Sequence, residues 1–162
     1  TSVLSTTVPE TTQTAETQFT YTPKTRPVVL GPVVRVGSLE FSVDVAADSE
    51  MRIKGLSGKG SLDGGTGMLF VFEKEERLRF WMRDMEIPLD MIWIGSNCRV
   101  VDVSENVPFP EPDTPLDDLP RYSPESPAKY VLEINGGESA DLGLGIGDQV
   151  EFVGPLAGKY GC

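Results

Sequence analysis

The chemistry open to this chain is narrow, because its 162 residues include no histidine. That excludes Ser-His-Asp and Cys-His activation of a nucleophile. It also removes the commonest ligands of zinc and non-haem iron sites, so no metal site and no cofactor are expected. Any reaction would have to run on carboxylates, Lys, Arg, Tyr or Cys. Two carboxylates stand out by context. Asp90 sits in the apolar run LDMIWI, and a buried acid must be paired or hydrogen-bonded. Arg52, Arg83 or the backbone amides around Ile87-Pro88 could satisfy it. Asp90 then reads as a tuned acid or base, as a ligand anchor, or as a structural aspartate that fixes a loop, the last being preferred. Glu133 could join it in a two-carboxylate hydrolytic site of glycosidase type. Taken alone, Glu133 alternates with Val131, shares the side of Lys129, and reads as a solvated strand residue.

The segment Trp81-Met82-Arg83-Asp84-Met85 offers a different chemistry. At strand spacing, Trp81 and Arg83 share one face and form an aromatic and cationic platform of the sort that holds a sugar ring or a peptide. The preferred reading is instead that Trp81 fills the core while Arg83 extends to solvent. The candidate ligand contacts are Arg52, Trp81, Arg83, Met85 and Asp90, and no catalytic residue is assigned. Cys98 and Cys162 lack C-x-x-C spacing, which argues against redox exchange or metal binding. A structural disulfide is preferred over two free thiols. The glycines of GLSGK (55–59) and GLGIGD (143–148) fit neither a Walker loop nor a calcium repeat and read as turns. Glu111, Asp113, Asp117 and Asp118 suit calcium in type, but prolines and spacing make them a solvated loop.

The length suits one domain. The net charge of −11, from 25 acidic and 14 basic residues, repels phosphate backbones and anionic lipid, so nucleic acid is not an expected partner. No apolar run is long enough to span a membrane. The chain begins at Thr1 without Met and reads as trimmed of a signal segment or otherwise truncated. Residues 1–27 are Thr-rich and poor in periodic apolar positions, and they predict a disordered stalk ahead of a single β-rich domain at 28–162. This sets the expected location outside the cytoplasm, either exported or anchored through the stalk, and that location in turn favours the disulfide.

Period-two alternation predicts strands at 33–36 and 39–45, joined by a turn at Gly37-Ser38. Asp48 predicts a helix N-cap, with one or two turns ended by Gly55. Apolar runs at 68–72, 78–82 and 89–94 predict strands, with EKEER (73–77) as a hairpin tip between the first two. Further strands are expected at 99–103, 129–135 and 148–153, with a short helical turn between the last two. Residues 108–127 hold seven of the thirteen prolines and predict a long surface loop. About eight strands and two short helices, joined by turns without helical crossovers, give a mainly β fold: a β-sandwich or jelly-roll-like, partly closed barrel.

Several blocks in this order resemble domain of unknown function family 192. They are Gly55-Leu56, the GMLFVF strand at 67–72, Trp81-Met82, the PLDMIW strand at 88–93, YVLEIN at 130–135 and Gly147-Asp148. The resemblance covers about residues 40–153. It implies a single β-sandwich domain of jelly-roll-like character, often exported in bacteria and archaea, and it supplies no activity and no catalytic residues. The chain departs from the family where Asn97-Cys98-Arg99 replaces a usual Gly-Arg or Asp-Gly, which suggests a locally added disulfide. It departs again at Gly136, where Ala is common. The functional expectation is a monomeric extracytoplasmic ligand-binding or accessory module whose partner is a small molecule or an envelope protein. A carboxylate-dependent hydrolase and an envelope structural or assembly protein are the alternatives.

Overall fold

A computed structural model describes residues 31–162. The expected stalk at 1–27 lies outside the described residues. The first hairpin forms as expected, with β1 (Val33–Val36) antiparallel to β2 (Leu39–Ala46). Gly37 supplies the positive φ of 59° that its tight turn demands. Asp48 caps α1 (Ser49–Lys54), its Oδ1 accepting from the Met51 N–H at 2.8 Å, a contact worth about 1 kcal/mol. Gly55, at φ 48°, ends the helix.

From α1 the chain returns through a glycine-rich loop into β3 (Thr66–Glu76), which lies parallel to β2. This corrects the expectation of turn-only connections. A parallel neighbour needs a crossover of a dozen or more residues, and α1 with its following loop provides it. The remaining strands are β4 (Leu89–Ile94), β5 (Val100–Val107), β6 (Ala128–Asn135) and β7 (Val150–Val153). A five-residue helix, α2 (Glu138–Leu142), separates the last two. All seven strands form one mixed sheet, ordered β5-β4-β6-β3-β2-β1-β7.

That sheet curls into a half-barrel, the partly closed form of the architectures expected from the sequence. Its two edges meet at one end. The Val100 N–H donates to the Asp148 carbonyl at 3.0 Å, and the Val150 N–H donates to the Cys98 carbonyl at 2.8 Å. Beside this seam Cys98 and Cys162 are paired as a disulfide, Cα to Cα 5.5 Å. Closing a loop of 64 residues contributes on the order of 4 kcal/mol by the chain-entropy account.

Inside the curl, every strand contributes to one apolar cluster, including Val34, Phe41, Leu69, Ile92, Val100, Leu132 and Phe152. A second cluster covers part of the outer face, where Met68, Phe70, Met91, Trp93 and Val131 meet Leu56, Leu78, Met82 and Met85. The sheet is therefore apolar on both faces over β3, β6 and β4, and these strands read as continuous hydrophobic runs.

Two local expectations need correction. EKEER is not a hairpin tip, since β3 runs on through Glu76 with an irregularity in its pairing to β6. Residues 78–82 are not a strand. They make only an isolated bridge, Phe80 to Tyr122, and lie across the outer face. Leu78 and Met82 are buried there, and Phe80 packs edge-on against Phe70 and Trp93 at 5.0 and 5.4 Å. Burial on the sheet face accounts for the apolar character that suggested a strand.

Candidate functional site

The outer cluster does not cover its face completely. Between α1, β3 and the 79–85 segment lies a cavity of about 340 Å³, within the size range of small-molecule sites. Phe70, Phe72, Phe80 and Trp81 line its walls, and Arg52, Lys54, Arg79 and Arg83 contribute four cationic side chains. Backbone contacts hold the two rims together. Ser57 Oγ donates to the Arg83 carbonyl at 2.9 Å, and the Gly58 N–H donates to the Asp84 carbonyl at 2.9 Å.

Glu133 also lines this cavity and is the only acidic residue among the described residues that does. It is 4% exposed, and its cross-strand neighbours are Met68 on β3 and Met91 on β4. Burial raises its carboxyl from the ordinary 4.5 to about 8, and no hydrogen bond or charge from a described residue opposes that shift. An acid this deep is usually hydrogen-bonded or paired. At neutral pH the isolated carboxyl is mostly a neutral acid facing the cavity. β3 and β6 lie close together at this point. A Cβ at Gly67 would stand 2.2 Å from the Glu133 carbonyl oxygen, so the approach requires glycine.

Four of the five residues expected to contact a ligand meet at this cavity: Arg52, Trp81, Arg83 and Met85. Their freedom differs. Arg52 is committed, donating to the Ala47 carbonyl at 3.1 Å and the Val71 carbonyl at 2.7 Å, pairing with Glu73 at 3.4 Å and covering the Phe72 ring at 4.9 Å. It fastens α1 to β3. Trp81 is half-buried, with the Arg83 and Arg121 guanidinium carbons 5.6 and 4.2 Å from its ring. Arg83 pairs loosely with Asp84 at 3.3 Å, and both are at the surface. Lys54 and Arg79 are exposed and pair with no described residue.

Asp90 does not join this group. It is fully buried on the inner face, opposite Ile134. Its carboxylate accepts from the Asn106 N–H at 2.6 Å, the Gly137 N–H at 2.8 Å, the Ser139 N–H at 2.8 Å and Ser139 Oγ at 2.6 Å. Neither Arg52 nor Arg83 pairs with it. Because Asp90 and Glu133 occupy opposite faces of the sheet, they cannot flank one substrate bond, and the two-carboxylate geometry is not present.

Sequence reasoning missed Glu133 as a cavity residue, along with the Lys54 and Arg79 rim and the phenylalanine walls. The usable signal for Glu133 lay in its neighbours. VLEI is apolar beyond the strict alternation of a half-solvated strand, so an acid within it should be buried whichever face it takes. A second cavity, of about 470 Å³, adjoins the first and shares Arg83 and Met85 with it. The proline-rich loop lines its far side through Phe109, Pro110, Leu116 and Leu119. Among the described residues no group of three or more Cys, Asp or Glu could hold a metal, and no helix is long and apolar enough to cross a membrane.

Two solved structures share this fold. One is a protein from Sinorhizobium meliloti 1021, provisionally described as a transcription regulator. It is 29% identical, with a TM-score of 0.66 over 76% of this chain and 95% of its own. The other is a protein of unknown function from Novosphingobium aromaticivorans DSM 12444. It is 32% identical, with a TM-score of 0.66 over 78% of this chain and 89% of its own. No curated protein matches. The family profile of DUF192, described as "Uncharacterized ACR", matches residues 33–152, which span all seven strands and the cavity apart from the end of β7. The chain belongs to the DUF192 family.

Proposed function

We propose that this domain is a small-molecule-binding module and that the cavity between α1, β3 and residues 79–85 is its site. The observation that carries this reading is Glu133, an almost fully buried carboxyl with no partner among the described residues that faces an aromatic-walled cavity. Its carboxyl oxygens are open to the cavity rather than sealed in the core, so a ligand there could supply the hydrogen bond or charge that the described residues do not. The rim adds to the argument. In a protein of net charge −11, four cations gather around one cavity.

Binding is favoured over hydrolysis because, among the described residues, no second carboxylate lines the cavity with Glu133 and no metal cluster stands there. The regulator description of the Sinorhizobium relative finds little support in this chain. The net charge opposes DNA, and the longest described helix has six residues. An accessory role outside the cytoplasm fits the disulfide at the barrel seam and the Thr-rich N-terminal segment. Thiol alkylation of the protein in fractionated cells checks that location, with Cys98 and Cys162 expected to resist alkylation before reduction.

The binding reading is tested by thermal-shift screening of small aromatic and charged compounds, followed by calorimetry. Hits are expected to weaken by about tenfold or more in a Trp81→Ala/Arg83→Ala double variant that retains its fold. Compounds that bind this variant as well as the wild type would remove the cavity as the site.

A further inference from the structure

The cavity has two chemically distinct ends, and its ligand must match both. Glu133 occupies the inner end, between the apolar side chains of Met68 and Met91 on its flanking strands. The charged groups that face the cavity come from two other elements: Arg52 and Lys54 from α1, and Arg79 and Arg83 from the 79–85 segment. None of these cations exerts a resolved influence on Glu133, whose state is set by burial alone. The carboxyl and the cationic rim therefore do not neutralise one another. Phe70, Phe72, Phe80 and Trp81 line the same cavity. Arg52 is held by backbone carbonyls, which leaves Lys54, Arg79 and Arg83 as the cations available to a guest.

We propose, resting on the binding reading above, that the ligand is an amphoteric small molecule with a flat apolar body. Its ammonium group meets Glu133 among the aromatic rings, and its carboxylate or other anionic group meets Lys54, Arg79 and Arg83. Aromatic faces attract a desolvated ammonium, and a carboxylate beside them completes a cation site. A simple organic cation would have to pass the exposed Lys54 and Arg79 at the rim. A simple anion could accept a hydrogen bond from the neutral Glu133 acid but would form no charge pair with it. A molecule carrying both charges can pair with each end.

An ammonium that settles on Glu133 requires the carboxylate form, so binding expels the proton that the acid otherwise keeps. The test uses three probes of one shape: 4-(aminomethyl)benzoate, benzylamine and 4-methylbenzoate. Calorimetry at about pH 6.5, in two buffers of different ionisation enthalpy, reads both affinity and protons exchanged. The amphoteric probe is expected to bind about tenfold or more tightly than either single-charge probe, and to release about one proton.

Glu133→Gln should abolish the proton release and the advantage of the amine, with 4-methylbenzoate little affected. Arg79→Ala/Arg83→Ala should weaken the two carboxylates and spare benzylamine. A wild type that binds 4-methylbenzoate with no gain from the amine, or that binds the amphoteric probe without proton release, overturns this ligand class and leaves the cavity as a binding site for another. No saturable binding by any of the three probes also overturns it, and the parent reading then stands or falls on the compound screen described above.

Discussion

Asp90 and Glu133 are both buried carboxyl residues on adjacent central strands, yet their surroundings are opposite. Asp90 faces the inside of the half-barrel, where four donors converge on it from the end of β5 and the start of α2. Glu133 faces the outer side between two methionines and receives none. The first carboxylate joins pieces of backbone that would otherwise leave their N–H groups unpaired. The second costs stability and opens on a cavity. Burial of an acid is thus not in itself a mark of function; what separates the two is whether the protein supplies the partners.

The strongest test of the contrast is Asp90→Ala. It orphans three backbone N–H groups and one hydroxyl at once, each costing about 1–3 kcal/mol when buried. Some of these groups would find water, so a loss of about 4–5 kcal/mol is expected in urea unfolding near neutral pH. Ligand binding in the surviving folded fraction should be unchanged. A loss of about 1 kcal/mol or less would mean that α2 and the end of β5 are held by other contacts, and the structural assignment of Asp90 would fail.

Glu133 should show itself through pH. Its carboxyl is raised to about 8 in the folded state against 4.5 when solvated. Between those values the folded protein keeps a proton that the unfolded chain gives up. Stability is then fullest below about pH 4.5 and declines as pH rises to about 8, by at most roughly 1.4 kcal/mol per pH unit. Glu73 works in the other direction. Its carboxyl is lowered by its own backbone hydrogen bond and by Arg52, and it acts only in the more acid range. Subtracting the pH profile of Glu133→Gln from that of the wild type isolates Glu133. The variant should be the more stable of the two at pH 8. Parallel profiles would show that water or a rearrangement already satisfies the acid.

The two residues also mark what could be read from sequence. An aspartate in LDMIWI announced its burial and its need for partners, and its structural role followed from that. Its actual donors could not be named, because Asn106, Gly137 and Ser139 lie 16, 47 and 49 residues away and are brought in by topology. The hairpin, the Asp48 cap and most strands were legible because each is dictated locally, by alternation or by a capping side chain. The 78–82 segment was misread because an apolar run packed across a sheet looks the same as one paired within it. Glu133 was misread for a related reason. Period-two alternation places a residue on a face but does not say whether that face is covered, and here Leu56 after α1 and the 78–85 segment cover it. Trp81 and Arg83 both line the cavity, but not for the reason given by strand spacing, since their segment lies across the sheet and is not a strand within it.

The smallest effect is also the most discriminating. Ser139→Ala removes one of the two bonds to Asp90 Oδ2 and keeps the other, from its own N–H. A single hydroxyl bond to a carboxylate is worth about 1–2 kcal/mol, so the variant should lose about that much. In an Asp90→Ala background the same substitution should cost far less, because its partner is already gone, and the coupling should account for most of the single-variant loss. Compound binding at the outer cavity should not change, since Ser139 lies on the far side of the sheet. If Ser139→Ala alone destabilises as much as Asp90→Ala, then α2 is anchored by its serine rather than by the carboxylate, and the division of labour between the two acids loses its inner half.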